Sequence, residues 1–474
     1  MLFAAPNIPR VPAARVERAL IELDRAVGQS KLVLDETARR VYAEDDSQSE
    51  ACMPDVVVVA ESKDDVAAVL RIAEAHEVPV TPRAGGSGRT GGAVPVAGGI
   101  VLATHALNQV VEIDRENLTA VVQPGVVLGT FHSLVEGENL FYAPDPNSAE
   151  LCMIGGNVAE NAGGPRAFKY GSTRDHVLGL EAVFMGGRTM RVGKRTVKGV
   201  TGYDVTALLV GSEGTLGVFT EITLRLFPKP SQVATLLALY TDVRAAGASV
   251  SRLIAAGLVP RCIEMMDAAT LGAVRAAGNA IDERAGAMLL IEVDGEDAEA
   301  QLARLGNALG DAQGTLDLVV AQDSAQRARL WAARKSLSYA TRKMATHKIA
   351  EDVVVPRSRI GALLEKTEAI GAREKVRHLT YGHAGDGNLH VNFLWDTPDE
   401  EPRVARAVES LMRETVALGG TLSGEHGVGL AKAPYLEFEQ SADLIALQKD
   451  VKRVFDPKGL LNPGKIFPTG HKGC

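Results

Sequence analysis

The chain has 474 residues, 46% apolar and 23% charged side chains, 48 glycines and a formal net charge of −8, from 51 Lys and Arg against 59 Asp and Glu. At roughly 100–200 residues per domain this is a globular protein of two or three domains, which excludes a disordered or collagen-like chain. The acidic balance without a long basic run argues against a nucleic-acid partner, and Cys52, Cys152, Cys262 and Cys474 form no CxxC cluster that could hold an iron–sulfur centre.

The opening MLFAAPNIPRVPAAR lacks a basic region ahead of an apolar run. Nowhere do ~18 apolar residues follow one another, so the chain reads as cytoplasmic with no membrane span. Residues 15–28 read as a surface helix, and the polar stretch Glu44 to Glu50 leads into a sheet. From Asp55 to Pro82, DVVVVA is a buried strand, Ser62 and Asp65 form an S-x-x-D capping box, DDVAAVLRIAEAHE is a helix and VPVTP a second strand. This βαβ unit runs into RAGGSGRTGGAVP, where Gly85, Gly86, Gly88, Gly91 and Gly92 fall close together.

Gly86-Ser-Gly88-Arg-Thr-Gly91 satisfies G-x-G-x-x-G, with Glu112 further on as a dinucleotide fingerprint would have it. That fingerprint needs a helix to begin at the loop. The proline, glycines and strand-forming residues of GAVPVAGGIVLA predict none. Two readings stay open: an anion nest of backbone N–H groups, or a tight glycine turn with no ligand.

Further along, VVEIDRENLTAVVQPGV alternates like a strand pair joined at a polar turn, and glycine-rich segments recur at Ile154 to Gly164 and Gly211 to Gly217. From Ala234 the pattern is strand, helix, strand, repeated from Ala287 to Val320; two such sets suggest a ferredoxin-like sheet capped by helices. FPKP cannot continue a strand, which places a domain boundary near Pro228 to Pro230. Ala442 to Phe455 reads as a last helix before the extended tail FDPKGLLNPGKIFP.

In GHAGDGNLHVNF, Gly385 and Gly387 make a turn, His383 stands before it, and His390 and Asn392 share one face of the strand after it. TLSGEHGVG sets Glu425 and His426 between Gly424 and Gly427. An isolated histidine is usually a satisfied core residue. Two glycine-framed groups that together offer His, His and Glu instead suit a divalent metal with an open coordination position. WAARK opens a predicted helix with Arg334 near its start, where a planar fork could receive a carboxylate or simply face solvent.

The runs PRAGGSGRTGGAVP, QPGV (123–126), APDPNS (143–148), IGGNVAENAGG (154–164) and GSEGTLGV (211–218) resemble the FAD-binding domain of the vanillyl-alcohol oxidase type flavoproteins. The downstream chain resembles their FAD-linked D-2-hydroxyacid dehydrogenase branch, which includes the glycolate oxidase flavin subunit, D-lactate dehydrogenase and D-2-hydroxyglutarate dehydrogenase. The resemblance implies an α+β fold: a two-subdomain FAD-binding domain at 51–230 and a ferredoxin-like α+β substrate and metal cap at 231–440. An N-terminal helical segment (1–50) would precede them, and a C-terminal helix and tail (441–474) would return to the FAD domain. It implies FAD contacts at Pro82, Arg83, Gly85, Gly86, Ser87, Gly88 and Arg89, then at Pro144, Asp145, Ser148, Gly155, Gly156, Asn157, Ala162, Gly163 and Gly164, and finally at Glu213, Gly214, Gly217, Val218 and Asn462. Ser87 stands where some relatives carry a flavin-linked histidine, so noncovalent FAD is expected. Ala84 and Arg89 depart from the family's usual glycine and leucine; Arg89 could pair with a phosphate or face solvent.

The same resemblance implies His383, His390 and Glu425 as ligands of one divalent metal, zinc first, manganese or iron next. It implies Asn392 and Arg334 as substrate contacts and His426 as catalytic base. The activity implied is metal-assisted oxidation of a small D-2-hydroxy acid, of D-lactate or glycolate type, to the 2-oxo acid by hydride transfer to flavin N5. Ala350, with Lys348 nearby, occupies the place of a second cation in the hydroxyglutarate enzymes, which favours a monocarboxylate. Two alternatives are a D-2-hydroxyglutarate dehydrogenase and a non-catalytic flavin-binding subunit of an electron-transfer complex. With no second redox centre in the chain, the expected partner is a separate electron acceptor: an iron–sulfur subunit, an electron-transferring flavoprotein, a cytochrome or a quinone. Through it the protein could sit at the inner face of the membrane. A homodimer is also expected.

Overall fold

The structure, a computed structural model, describes residues 8–335 and 337–468. Its first layer is a four-stranded sheet in the order Leu32–Val33, Val56–Val59, Ile100–Ala103, Val80–Arg83. The last three strands run parallel and Leu32–Val33 joins them antiparallel, so the N-terminal segment contributes a strand as well as its helix Ala13–Val27. Helix Lys63–His76 begins at the capping box read from the sequence: the Ser62 hydroxyl accepts the Asp65 N–H, and the Asp65 carboxylate accepts the Ser62 N–H. Its apolar stripe, Val66, Val69, Leu70 and Ala73, packs on the sheet and on Ala19 and Leu23 of the first helix.

Beside this lies an antiparallel five-stranded sheet, Val110–Asp114, Thr119–Val122, Val218–Arg225, Val177–Val183, Thr189–Gly193, with its own core around Phe131, Tyr142, Phe184 and Phe219. Strand Val218–Arg225 ends before FPKP, as read from the sequence, although Phe227 and Pro228 form a short ladder of their own. After a break at Leu226, Phe227–Pro228 pairs with Leu140–Phe141, in a two-stranded edge where a residue lacking an N–H is tolerated.

The remaining chain builds a seven-stranded antiparallel sheet: Thr315–Val320, Val233–Tyr240, Ala287–Asp294, Cys262–Asp267, Arg377–His383, Asn388–Trp395, His347–Val354. Its first four strands stand in the spatial order fourth, first, third, second of a ferredoxin-like unit, and the last three extend it beyond Cys262–Asp267. Helices Val243–Ala255, Ala298–Gly310, Ile360–Glu374 and Glu401–Ala417 cover one face through Leu253, Leu305, Leu363 and Leu411. The other face packs Met266, Leu290 and Leu379 against helices Ala268–Ala276, Ser324–Lys335 and Leu337–Arg342, and beyond that core it presents His383 and His390 to a cavity.

Lys169 and Tyr170 reach the buried Asp294 carboxylate across the junction; the tyrosine hydroxyl donates at 2.8 Å. Helix Ala442–Phe455 has the bounds read from the sequence, and the tail after it returns to the first sheet, where Leu461 bridges Val80 in parallel. Cys52, Cys152 and Cys262 are free thiols, and Cys474 lies outside the described residues. Among the described residues no helix is long and apolar enough to cross a membrane.

Candidate active site

A cavity of about 700 Å³ opens where the layers meet. One wall is the loop after strand Val80–Arg83. No helix begins there, so the G-x-G-x-x-G match is not a dinucleotide fingerprint. Pro82, Arg83, Gly85, Gly86, Ser87, Gly88 and Arg89 all line the cavity, as do Ser148, Gly155, Gly156, Asn157, Ala162, Glu213, Gly214, Gly217 and Val218. A β-carbon at Gly85 would stand 2.9 Å from the Leu151 carbonyl oxygen, so the loop and the 148–157 segment close on each other only with glycine there. The volume falls in the range of about 300–1,000 Å³ typical of cofactor sites. A wall of glycines and small residues suits a flat ring system and a phosphate linker approached by backbone.

Pro144, Asp145, Gly163, Gly164 and Asn462 do not line that cavity. The Pro144 carbonyl meets His132 Nε2 at 2.9 Å, and Asp145 accepts the Arg166 N–H and pairs with its guanidinium. Asn462 donates its amide to the carbonyls of Gly92 and Glu213, tying the tail to two glycine segments. Gly163 backs onto the opposite wall, where a β-carbon would come 2.8 Å from Glu425 Oε2.

That wall is the part of the long sheet that bears Tyr381, His383 and His390. Strands Arg377–His383 and Asn388–Trp395 form a hairpin in which Tyr381 opposes His390. Gly387 turns it at φ +80°, where a β-carbon would overlap the Val355 carbonyl. His383 and His390 then meet edge to face, ring centroids 5.2 Å apart. The loop after helix Glu401–Ala417 brings Glu425 to both: its Oε1 lies 3.3 Å from His383 Nε2 and 3.5 Å from His390 Nε2. Ligand atoms of these three residues lie within 4.8 Å of one another. Glu425 Oε2 is buried without a hydrogen-bond partner among the described residues. Two imidazole nitrogens and a carboxylate, with acceptor capacity left over, fit a divalent cation that keeps an open position.

Two carboxylates that the sequence reading missed touch the cluster. Glu264, opposite His383 in the sheet, meets its Nδ1 at 2.5 Å through Oε1 and accepts Arg334 Nε–H at 2.6 Å through Oε2. Asp352 Oδ1 lies 3.8 Å from His390 Nδ1, while Oδ2 accepts the N–H groups of Gly424, Glu425 and His426 at 2.8–3.0 Å. Glu213, from the other side of the cavity, accepts the next N–H groups in the same loop, Val428 and Gly429, at 2.7 Å each. The loop bearing Glu425 and His426 thus hangs between two buried carboxylates. A signal existed: acids inside an apolar strand, as in CIEMMD or IAEDVVV, must find partners or neutralise.

The charges follow from these contacts. Burial opposes the imidazolium of His383, yet Glu264 and Glu425 overcome it and hold the pKa well above the usual histidine value. Glu425 is driven down to about 2, its burial outweighed by His383, and His390 is pushed down to about 3 by burial and by the charge on His383. Burial likewise lowers His426 against the pull of Asp352 and Glu425, which favours the neutral imidazole. His426 stacks on His390 at 5.4 Å between centroids.

Arg334 is the penultimate residue of helix Ser324–Lys335, so it stands at that helix's end, not near its start. The helix begins well upstream of WAARK, in a polar stretch without the apolar periodicity that would have announced it. Its guanidinium lies over the Tyr381 ring at 5.0 Å and lines the cavity with His383, His390, Glu425 and His426. Asn392 does not line it: buried in the sheet, it donates to the His390 carbonyl, and its Oδ1 lacks a partner among the described residues. A second cavity of about 400 Å³ adjoins through His426, Arg89 and Ala350 and is also lined by Lys348, whose Nζ donates to Thr341. Arg89 pairs with Asp46 at 3.5 Å.

Known proteins resemble this chain along most of its length. Residues 54–193 match the family described as FAD binding domain, and 229–466 the family described as FAD linked oxidases, C-terminal domain. The chain is 42% identical to glycolate oxidase subunit GlcD of Bacillus subtilis, over 90% of this chain and 92% of that protein. It is 34% identical to a D-lactate dehydrogenase of Anaerostipes hadrus, over 87% and 89%. A structure of p-cresol methylhydroxylase superposes with a TM-score of 0.82 at 16% identity, covering 98% of this chain and 99% of that one, and so shares the fold.

Proposed function

The chain belongs to the FAD-linked D-2-hydroxyacid dehydrogenase family and is an FAD-dependent oxidoreductase of hydroxy acids; from that premise we propose that it oxidises a small D-2-hydroxy acid, of D-lactate or glycolate type, with the help of a divalent metal. The observation that carries the reading is the convergence of His383, His390 and Glu425 beside His426 in the cavity that the glycine loop also lines. His383 Nε2, His390 Nε2 and Glu425 Oε1 would hold the metal, zinc first. The segments 82–89, 148–162 and 213–218 would hold FAD noncovalently, with residues 51–230 as its domain and 231–440 as the cap. When bound, FAD supplies an acceptor for the hydride from C2 and the metal a Lewis acid for the developing alkoxide.

The protein's own groups do the rest. Arg334 receives the substrate carboxylate and so turns C2 toward the cavity. His426, neutral at physiological pH, takes the hydroxyl proton. Asp352 keeps the loop bearing that histidine in place. Asn392, two residues beyond His390 on the same strand, donates its amide to the His390 carbonyl. Electrons leave to a separate acceptor, a protein or a quinone.

Anaerobic bleaching of the bound flavin by D-lactate or glycolate, with zinc present, tests this. His426→Ala should slow bleaching by about 10²–10⁴ with FAD retained; a His426→Ala protein reduced at the wild-type rate would remove the base. A D-2-hydroxy diacid is the second reading, favoured by the adjoining 400 Å³ cavity with Arg89 and Lys348 in its wall. Preferential bleaching by D-2-hydroxyglutarate would select it.

A further inference from the structure

Glu264 has no role in the reading above, yet it touches both of that reading's recognition elements. It sits wholly buried in strand Cys262–Asp267, directly across the ladder from His383. One oxygen meets His383 Nδ1 at 2.5 Å; the other accepts Arg334 Nε–H at 2.6 Å. With His383 Nδ1 engaged there, Nε2 is the nitrogen turned to Glu425. With Arg334 Nε engaged, the guanidinium is held over the Tyr381 ring, 5.0 Å from its centroid. Each oxygen of the single carboxylate therefore sets the orientation of a different ligand-binding side chain.

We propose that Glu264 is a positioning residue shared by two sites, aiming His383 at the metal and Arg334 at the substrate carboxylate, so that the spacing between cation and carboxylate pocket is set by one side chain. This rests on the metal-assisted reading of the cavity. A carboxylate partner on the far nitrogen of a metal-bound histidine fixes its ring and raises its basicity, and losing such a partner typically costs about 10–100-fold in metal affinity. Glutamine is nearly isosteric with Glu264 but offers one acceptor oxygen and an NH₂ group, so it can satisfy one of the two donors and must confront the other with a donor.

The test compares wild type, Glu264→Gln, Arg334→Met and the double variant as FAD-loaded proteins. Zinc affinity is measured by competition with a chromophoric chelator, and the KM for D-lactate or glycolate at saturating zinc. Glu264→Gln should bind zinc about 10–100-fold more weakly. It should also raise KM at least about tenfold even when zinc is saturating. Arg334→Met should raise KM and leave zinc affinity within about twofold, and the double variant should show no larger KM than the worse single, since both changes break one link. Should Glu264→Gln not retain FAD, Glu264→Asp, one methylene shorter, carries the same expectation. Unchanged zinc affinity in the Glu264 variant, or independent multiplication of the two KM effects, overturns the proposal. In that event wild type still takes up zinc and oxidises hydroxy acids. A wild type that binds no zinc or oxidises none defeats the proposed function itself, and this inference with it.

Discussion

The loop from Pro82 to Arg89 and the loop from Gly424 to Gly429 face one cavity, but different forces hold them. The first takes its shape from backbone approach: a strand ends, Gly85 permits the approach of Leu151, and Arg83 donates to the carbonyls of Val41 and Glu44. The second is held by carboxylates far away in sequence, Asp352 from the long sheet and Glu213 from across the cavity. A site made by backbone can be approached residue by residue, whereas a site hung on buried charges fails when one anchor goes. The contrast predicts where substitutions cost stability and where they cost only a ligand.

The largest effect is expected at Asp352. Burial opposes its ionisation, but His426, Lys432 and three backbone N–H groups hold its pKa well below the usual range. Asp352→Ala would leave the buried Lys432 its hydrogen bond to the carbonyl of residue 352 but remove the carboxylate 3.7 Å from its Nζ, and would free the loop. A cost of about 3–5 kcal/mol is expected in urea unfolding, with zinc uptake lost. A variant of wild-type stability would show that the loop is not hung on this residue.

Glu351, its neighbour on the other face of the strand, should do the opposite. Burial raises its carboxyl from 4.5 to about 7. The folded chain thus keeps a proton that the unfolded chain releases, so the penalty is absent below about pH 4.5, grows through the interval and is complete above pH 7. Glu351→Gln should therefore stabilise the protein by up to about 3 kcal/mol at pH 8 and by little at pH 4.5. Unfolding curves at the two pH values check the sign, which would reverse if the carboxyl were ion-paired in the native state.

Glu213→Gln probes the other anchor. It keeps one acceptor for Val428 and Gly429 and orphans one N–H, but it also removes a carboxylate whose burial is unfavourable. About 1 kcal/mol of net destabilisation is expected, read as a small shift of the urea midpoint. Weaker zinc binding should accompany it, because Glu425 rides on the same loop.

The same division explains what could be read from the sequence. Helix Ala442–Phe455, the Ser62 capping box and the missing helix after Gly91 were legible because periodicity and capping are local. So was the turn that joins His383 to His390, since Gly385 and Gly387 mark it in one short run. Glu264 was not, because its partners lie 119 and 70 residues away and only strand register brings them together. Arg334 was misplaced on its helix because SAQRARLWAARK buries little and carries no stripe to mark a start. Asn392 shares the face of His390 by alternation, as read, but alternation does not say how far along the strand the cavity extends.

Gly88→Ala sharpens the contrast at its small end. A β-carbon there meets nothing closer than Asp45 Oδ2 at 3.8 Å, an ordinary contact, and Gly88 is not among the glycines with positive φ. The apoprotein should therefore unfold as wild type does, to within about 0.5 kcal/mol. If the loop presents its backbone to the FAD linker, the added methyl stands where the cofactor must approach, and FAD affinity should fall by about tenfold or more, roughly 1.4 kcal/mol. Fluorescence titration of apoprotein with FAD, beside urea unfolding of the same sample, separates the two quantities. Equal FAD affinity would mean that Gly88 serves only the turn, and that this stretch of wall, like the one opposite, binds through side chains.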